Sequence, residues 1–449
     1  EDKLTVFVHF GMNTFTGLST GKGNEDPDLF NPTDLDCDQW AREAKKAGFK
    51  GMILTAKHHD GFCLWPSKTT KHGVVSSSWR DGKGDVVREF SDACRKHGLK
   101  FGIYLSPWDI NMSKSHGAEE YSKLYMEQLR ELLTNYGPVY EMWFDGNNAK
   151  VPNWDKVINL TRKLQPGAII KEGPPVRPVT SDVRWVGNER ARCKLANWCV
   201  FPEPGSNSEH APIWFPVETD TSMIGHWFWC NTLPLELPTL LNYYYTSVGR
   251  GSILLLNIAP DESGVFEPNT VKRLHEFADA VREIYRPDYA RGPEVKAFAS
   301  HVRSGGEFEP EKVLDGDPDT FWATDENVKK AELIIDLGKD RDFNVIRIEE
   351  PIRLGQRVAR YRLDVWDEQD KKWHVVNDKG YTIGARKLDR IPRQKSSKVR
   401  LAILDSRAGP LIQSVGVHLD ETSPESHFDP KFANSEKGKR RMPKQEPRP

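Results

Sequence analysis

Gly51-Met52-Ile53-Leu54-Thr55-Ala56-Lys57-His58-His59-Asp60 is an apolar run that ends in a polar cluster, and its kind recurs along the chain. Residues 4–10 form a similar run, followed by the amphipathic stretch Cys37–Lys46. Beyond it come the helical pattern at 85–97, the run Lys100–Leu105, the helical pattern at 121–136, the run at 139–144 and the stretch Trp154–Leu164. A run at 252–258 and a long helical pattern at 269–285 extend the series. Each helical stretch closes on a stop signal: Ala47-Gly48, His97-Gly98, Tyr136-Gly137 and Gln165-Pro166-Gly167. Strand–helix alternation of this length predicts an α/β fold with a parallel sheet, a (β/α)8-like barrel, with an open doubly wound sheet as the alternative. No glycine-rich phosphate loop follows any run, which disfavours the nucleotide-binding version of that alternative.

The texture changes at Arg286-Pro287-Asp288. From 295 to 420 the chain carries short alternating runs at 333–337, 345–348, 361–366, 373–376, 399–404 and 415–419, which predict an all-β sandwich. The expected division is 1–288 for the barrel, 289–424 for the sandwich and 425–449 for a disordered, charged, Pro-rich tail.

Composition narrows the function. With 64 Lys and Arg against 65 Asp and Glu, the net charge is −1, so the chain shows neither a basic nucleic-acid footprint nor a polyacidic disordered character. Its apolar runs fall far short of the roughly 18 to 20 residues of a membrane span. Six Cys are too few for a disulfide scaffold and show no Cys-x-x-Cys pair; Cys193 and Cys199 could bridge a short loop or remain free. Two sequons, Asn111-Met112-Ser113 and Asn159-Leu160-Thr161, favour a secreted, extracellular or lysosomal/vacuolar location, the apoplast if the source is a plant. The 14 Trp suit a protein whose flat apolar faces meet sugar rings.

Polar residues gather where the strands end: His9-Phe10-Gly11, Lys57-His58-His59-Asp60, Tyr104-Leu105-Ser106-Pro107-Trp108-Asp109 and Met142-Trp143-Phe144-Asp145-Gly146. In a parallel barrel these points converge on the carboxyl face, where catalytic groups sit. Adjacent His58 and His59 invite a metal, but strand neighbours point to opposite faces and the first strand offers only His9, so a metal-dependent barrel hydrolase is the weaker alternative. Imidazoles and indoles suit a polyol, because neutral imidazole both donates and accepts. Asp145 supplies one carboxylate. Glycoside cleavage needs a second, and Glu189 and Glu218 are the candidates; Glu218 stands after a strand-like run.

These residues resemble the α-L-fucosidases of glycoside hydrolase family 29. The resemblance rests on His9-Phe10-Gly11, Gln39-Trp40, Leu54-Thr55-Ala56-Lys57-His58-His59-Asp60-Gly61-Phe62, Trp143-Phe144-Asp145-Gly146 and Leu254-Leu255-Leu256-Asn257-Ile258. It implies a retaining exo-α-L-fucosidase acting by double displacement, with Asp145 as nucleophile and no cofactor or active-site metal. Arg184-Trp185-Val186-Gly187-Asn188-Glu189 is similar to the branch preferring α-1,3 and α-1,4 (Lewis-type) fucosides. That implies Glu189 as acid/base, with Glu218 as the alternative acid/base or a substrate contact. The expected partners are fucosylated glycans or glycoproteins, not nucleic acid or membrane. His9, His58, His59 and Trp143 are expected to hold fucose hydroxyls, with Trp65 and Tyr104 closing the site and Trp185, Trp214 and Trp227 meeting the neighbouring sugar. A catalytically silent sugar-binding protein is the alternative from another class.

The segment from Val313 to Trp322 resembles discoidin-like sandwiches fused to such enzymes, which implies a possible carbohydrate-binding module and a possible structural calcium near Asp315, Asp317 and Thr320. One departure stands out. Where the family often carries a Trp-containing loop after His9-Phe10-Gly11, this chain has Gly17-Leu18-Ser19-Thr20-Gly21.

Overall fold

The structure, a computed structural model, describes residues 3–145, 154–171, 181–203 and 213–422. Gly146 and the expected tail lie outside the described residues. In chain order the first part consists of β1 (Leu4–Val8), α1 (Met12–Thr16), α2 (Cys37–Lys46), β2 (Gly51–Lys57), α3 (Val86–Lys96), β3 (Lys100–Leu105), α4 (Ile110–Ser115), α5 (Ala118–Asn135), β4 (Glu141–Trp143), α6 (Trp154–Leu164) and β5 (Ile169–Lys171). It continues with β6 (Arg184–Trp185), the hairpin β7 (Val200–Phe201) and β8 (Ile213–Trp214), β9 (Val217–Ser222), α7 (Leu237–Thr246), β10 (Ile253–Asn257) and α8 (Pro268–Ile284). Asp36, Asp85 and Asp109 cap α2, α3 and α4 by accepting from Gln39, Arg88 and Met112 backbone N–H groups.

Eight strands pair in parallel in the order β5-β4-β3-β2-β1-β10-β9-β6, and a parallel bridge from Lys171 to Val183 joins the two ends. The barrel therefore closes, which excludes the open doubly wound sheet. Alternate residues sort by face, as strand geometry requires. Val6, Val8, Met52, Leu54, Ile103, Leu105, Met142, Leu254 and Leu256 pack outward against the helices, while Phe7, Ile53, Tyr104, Trp143 and Leu255 form a separate cluster inside. The inward parity continues upward into His9, Ser106, Asp145, Ser222 and Asn257, and downward into Glu141, Glu218 and Ile253. The interior is thus layered: polar at the carboxyl end, largely aromatic in the middle, and carboxyl-bearing at the amino end. β9, Val-Glu-Thr-Asp-Thr-Ser, is entirely buried yet has no apolar run, because its inward residues are the carboxylates Glu218 and Asp220. Periodicity of apolar residues could not find it.

The second part comprises β11 (Lys296–Ala299), β12 (Trp322–Ala323), β13 (Ala331–Glu349), β14 (Val358–Asp367), β15 (Lys372–Tyr381), β16 (Lys387–Ser406), β17 (Leu411–Ile412) and β18 (Ser414–His418). All its strand pairs are antiparallel, built round a core that includes Trp322, Phe343, Tyr361 and Leu401. The short runs expected at 333–337 and 345–348 are halves of one strand, β13, interrupted by register shifts between Asp336 and Arg341 and between Phe343 and Val345.

This sandwich docks on the amino end of the barrel, opposite the polar layer. Val345 and Leu388 join the barrel's own core, and Lys3 just before β1 donates to Ala385 O (3.1 Å). Gln356, almost fully buried, stitches the two parts: its Oε1 accepts from Cys199 N–H (2.8 Å) and its Nε2 donates to Asn197 O (2.9 Å). The side-chain amide thus satisfies two backbone groups that have no strand partner. Gln356→Leu should leave both unpaired and lower stability by about 2 to 4 kcal/mol, on the scale of two orphaned buried groups; differential scanning calorimetry should show the loss as a lower unfolding temperature.

Candidate active site

The polar layer is built from residues one step past their strands. His9 follows β1, and its Nδ1 lies 2.8 Å from Asn257 Oδ1 at the end of β10. The same Oδ1 accepts from the His9 backbone N–H, while Asn257 Nδ2 donates to Trp227 O (2.7 Å). Asn257 is thereby oriented as an acceptor towards His9, so His9 carries its proton on Nδ1 and turns a bare Nε2 to the cavity. His59 Nδ1 lies 2.7 Å from Ser106 Oγ, whose own hydroxyl donates to Trp108 O. Ser106 is therefore the acceptor, and His59 Nε2 stands 3.5 Å from Asp145 Oδ2. Tyr104 reaches up from the middle layer and donates its hydroxyl to the same Asp145 oxygen (2.8 Å). The rings pack on one another: His58 on His59 (4.1 Å), Trp227 on His9 (4.9 Å) and Phe228 edge-on to His58 (5.0 Å).

Electrostatics follow burial. His9 is pushed down to about 3, chiefly by desolvation, with the Asn257 bond opposing. Burial lowers His58 as well, and the neighbouring imidazoles add to it. His59 is lowered less far because Asp145 pulls the other way. All three are biased towards the neutral form, and with their Nδ1 protons committed to Asn257 and Ser106, His9 and His59 offer Nε2 as an acceptor. Behind them, Asn13 Nδ2 donates to Asp60 Oδ2 (3.1 Å), and burial raises the Asp60 carboxyl to about 7. Lys57 Nζ lies fully buried between Asp109 Oδ2 (2.8 Å) and Gln128 Oε1 (2.9 Å), the paired and hydrogen-bonded state a buried cation requires.

Glu189 rides on the loop after β6. The residue is exposed by surface area, yet its carboxyl is crowded: desolvation raises its pKa, the Asp145 charge adds to the rise, and a hydrogen bond from Trp227 opposes it. One carboxyl is thus biased towards its protonated form in the field of the other. That is the division of labour that acid-assisted displacement at a glycosidic carbon requires.

The structure assembles His9, His58, His59, Tyr104, Trp227, Asp145 and Glu189 in one place and separates several others from it. Glu218, the expected alternative acid/base, opens β9 rather than closing a strand; it lies in the lowest interior layer, where its Oε1 accepts from Trp143 Nε1 (2.8 Å). It sits too deep to touch a sugar at the carboxyl face. For the same reason Trp143 offers no N–H to a hydroxyl; its ring is held between Lys171 Nζ (3.2 Å from the centroid) and Tyr104 (5.3 Å). Trp65 does not close the site: it is fully buried in the helix-facing core, and its indole donates to Glu131 of α5 (2.8 Å). Trp185 donates its N–H to Asp220 Oδ1 (2.7 Å) and so can offer only a ring. Trp214 is exposed, but it leads into the amino end of β9, away from the polar layer. Asn257, Ser106 and Asn13 were not foreseen; the one available signal was a lone amide or hydroxyl terminating an apolar run, as in Leu254-Leu255-Leu256-Asn257.

In the sandwich, Asp315 accepts from Asp317 N–H (2.9 Å) and from the Thr320 hydroxyl (2.7 Å), and Asp317 accepts from Asp319 N–H (2.8 Å). The oxygens suited to a hard cation are those that fold the turn, so the turn is satisfied by its own donors. Cys193 and Cys199 are both free, buried thiols.

The α-L-fucosidase family matches residues 22–283, and the F5/8 type C domain matches residues 296–413. Alpha-L-fucosidase 1 of Arabidopsis thaliana is 36% identical over 441 residues, covering 94% of this chain and 86% of that protein. Among solved structures, a putative alpha-L-fucosidase from Bacteroides thetaiotaomicron superposes with a TM-score of 0.87 at 35% identity, covering 93% of this chain and 95% of that one. A Ruminococcus gnavus GH29 fucosidase in complex with fucose superposes with a TM-score of 0.83 at 29% identity, covering 93% and 92%.

The depressed histidines tie stability to pH. A group whose folded pKa lies below its unfolded value of 6.5 contributes fully above that value and loses its contribution as the pH falls. Relative to His9→Gln, the wild type should therefore lose about 1.4 kcal/mol per pH unit on descending from 6.5 towards about 3. Denaturant titrations of both proteins at several pH values measure the difference in slope.

Proposed function

The chain belongs to the α-L-fucosidase family of glycoside hydrolases, and from that premise we propose that it is a retaining, exo-acting enzyme in which Asp145 is the nucleophile and Glu189 the acid/base. The observation that carries this assignment is the pairing of a Tyr104-held Asp145 with a crowded Glu189 whose proton affinity the Asp145 charge increases. In the first step Glu189 gives its proton to the departing glycosidic oxygen while Asp145 attacks the anomeric carbon. The resulting fucosyl ester is opened by a water that Glu189 now deprotonates. Tyr104 fixes the rotation of the Asp145 carboxylate, and the neutral histidines hold hydroxyls. His9 Nε2 is an acceptor, because the single ring proton sits on Nδ1, which donates to Asn257 Oδ1.

The α-1,3/α-1,4 preference is part of the same proposal and rests on the 184–189 segment, together with Trp227 and the ring of Trp185 beside the loop. Trp214 no longer supports it. Fucosylated glycans or glycoproteins are the proposed substrates, in a secreted or lysosomal/vacuolar setting. Asn159 of the second sequon is exposed on α6, whereas Asn111 is half-buried and its amide donates to Gly23 O (2.9 Å). Among the described residues no helix is long and apolar enough to cross a membrane.

Azide distinguishes the two carboxyl roles. With Glu189→Ala and an activated aryl α-L-fucoside, azide should capture the ester intermediate as the α-configured fucosyl azide, two inversions from the substrate. With Asp145→Gly it should give the β-configured azide by a single inversion. The reverse stereochemistry, or wild-type turnover by Asp145→Asn, would exchange or remove the assignments. Linkage is tested separately: a hydrolysis panel should rank Lewis-type α-1,3/1,4 fucosides above fucosyl-α-1,2-galactose, and the opposite ranking rejects the branch assignment.

A further inference from the structure

Asp220 takes no part in the steps above, yet it is bonded at both feet of the loop that carries Glu189. The loop leaves the barrel at Trp185, whose indole Nε1–H donates to Asp220 Oδ1 (2.7 Å), and returns at Ala191, whose backbone N–H donates to Asp220 O (3.2 Å). Between these feet the backbone turns through two left-handed residues, Gly187 (φ 88°) and Ala191 (φ 48°), the second of which carries a side chain in a conformation few residues adopt. Ala191 is fully buried, and Thr246 Oγ1 donates to its carbonyl (2.8 Å). Inside the loop, Val186 N–H donates to Glu218 O (2.9 Å), Asn188 Nδ2 donates to Arg192 O (2.9 Å), Asn188 Oδ1 accepts from Arg190 N–H (3.2 Å), and the Glu189 carboxyl itself accepts from Trp227. Bonds within the loop keep its shape, while its feet, together with the Trp227 bond to Glu189, place it over the pocket.

We propose that Asp220 is a positioning residue for the proton donor: its carboxyl, by holding the Trp185 indole at the first foot of the loop, sets where the Glu189 carboxyl stands relative to the departing oxygen, while its main-chain carbonyl anchors the second foot at Ala191. The proposal rests on Glu189 being the acid/base. Asp220 suits the task because it projects inward from β9, the strand alongside β6, where its Oδ1 accepts the indole N–H away from competing water. Its carboxyl is almost fully buried and is pushed up to about 7 by that burial, with Lys171 and the Trp185 indole opposing.

The test separates positioning from folding by leaving-group dependence. An unactivated fucoside needs the acid, whereas a dinitrophenyl fucoside departs without it. In Asp220→Ala, kcat/KM for the unactivated substrate should fall roughly 10²-fold, the scale of a small misplacement, while kcat/KM for the dinitrophenyl fucoside falls far less. For the latter, kcat and KM should drop together as the intermediate accumulates, and azide should restore turnover. Trp185→Phe, which keeps the ring and removes only the N–H, should show the same pattern if Asp220→Ala folds poorly. Asp220→Asn, which keeps an acceptor oxygen, should recover most of the loss. Equal falls for both substrates in Asp220→Ala and in Trp185→Phe would overturn the proposal. Glu189→Ala, measured alongside, keeps the two claims apart: without leaving-group dependence or azide capture there, the acid/base assignment itself fails, and the role of Asp220 with it.

Discussion

Eight parallel strands that close on themselves leave alternate side chains no choice but to point inward, and the rest of this molecule depends on that constraint. The barrel interior is too narrow for a channel and must be filled. Here it is filled in layers, and the position of a residue along its strand decides its chemistry. Phe7, Ile53, Tyr104, Trp143 and Leu255 plug the middle and give the polar layer above them a dry floor. His9, Ser106, Asp145 and Asn257 share inward parity with that plug, so the strands that make the core also aim the functional groups. A shift of one residue in any strand would send its polar terminus into the helix layer.

A dry floor has electrical consequences. Charge is disfavoured in the polar layer, which keeps His9, His58 and His59 neutral and raises Glu189. The same burial favours protons on the carboxyls below, with Asp220 near 7 and Glu141 far above its usual range beside Glu218. Three carboxyls are held by specific donors: Glu218 and Asp220 take the indoles of Trp143 and Trp185, and Asp145 takes the Tyr104 hydroxyl. The aromatic residues thus fill volume and fix acids at once. This explains why indoles expected to face a sugar instead face inward, and why Tyr104, expected to close the pocket, supports Asp145 from below.

The sandwich takes the opposite end of the barrel. Its Gln356 pairs backbone groups of Asn197 and Cys199, the Lys3 amine pairs its Ala385 carbonyl, and Val345 and Leu388 extend the barrel core. Among the described residues, these contacts lie at the end of the barrel opposite the polar layer.

The fold class was legible because both periodicities are local. Apolar runs with glycine-terminated helices announce a barrel, and alternating runs after Pro287 announce a sandwich. The polar endings His9, His58-His59 and Asp145 were legible for the same reason, since a strand end in a parallel barrel always faces the carboxyl side. What tertiary structure decided is which member of an equivalent pair does what. Glu189 and Glu218 each follow a Trp-containing segment, and no local pattern says that one rides on a loop above the pocket while the other opens a strand two layers below. Trp65 and Trp143 likewise look interchangeable in sequence, but one donates into the helix layer and the other into the barrel interior. Partners such as Glu131, Asp220 and Asn257 lie dozens to hundreds of residues away along the chain. Register and closure bring them into contact, and only the closed barrel fixes those.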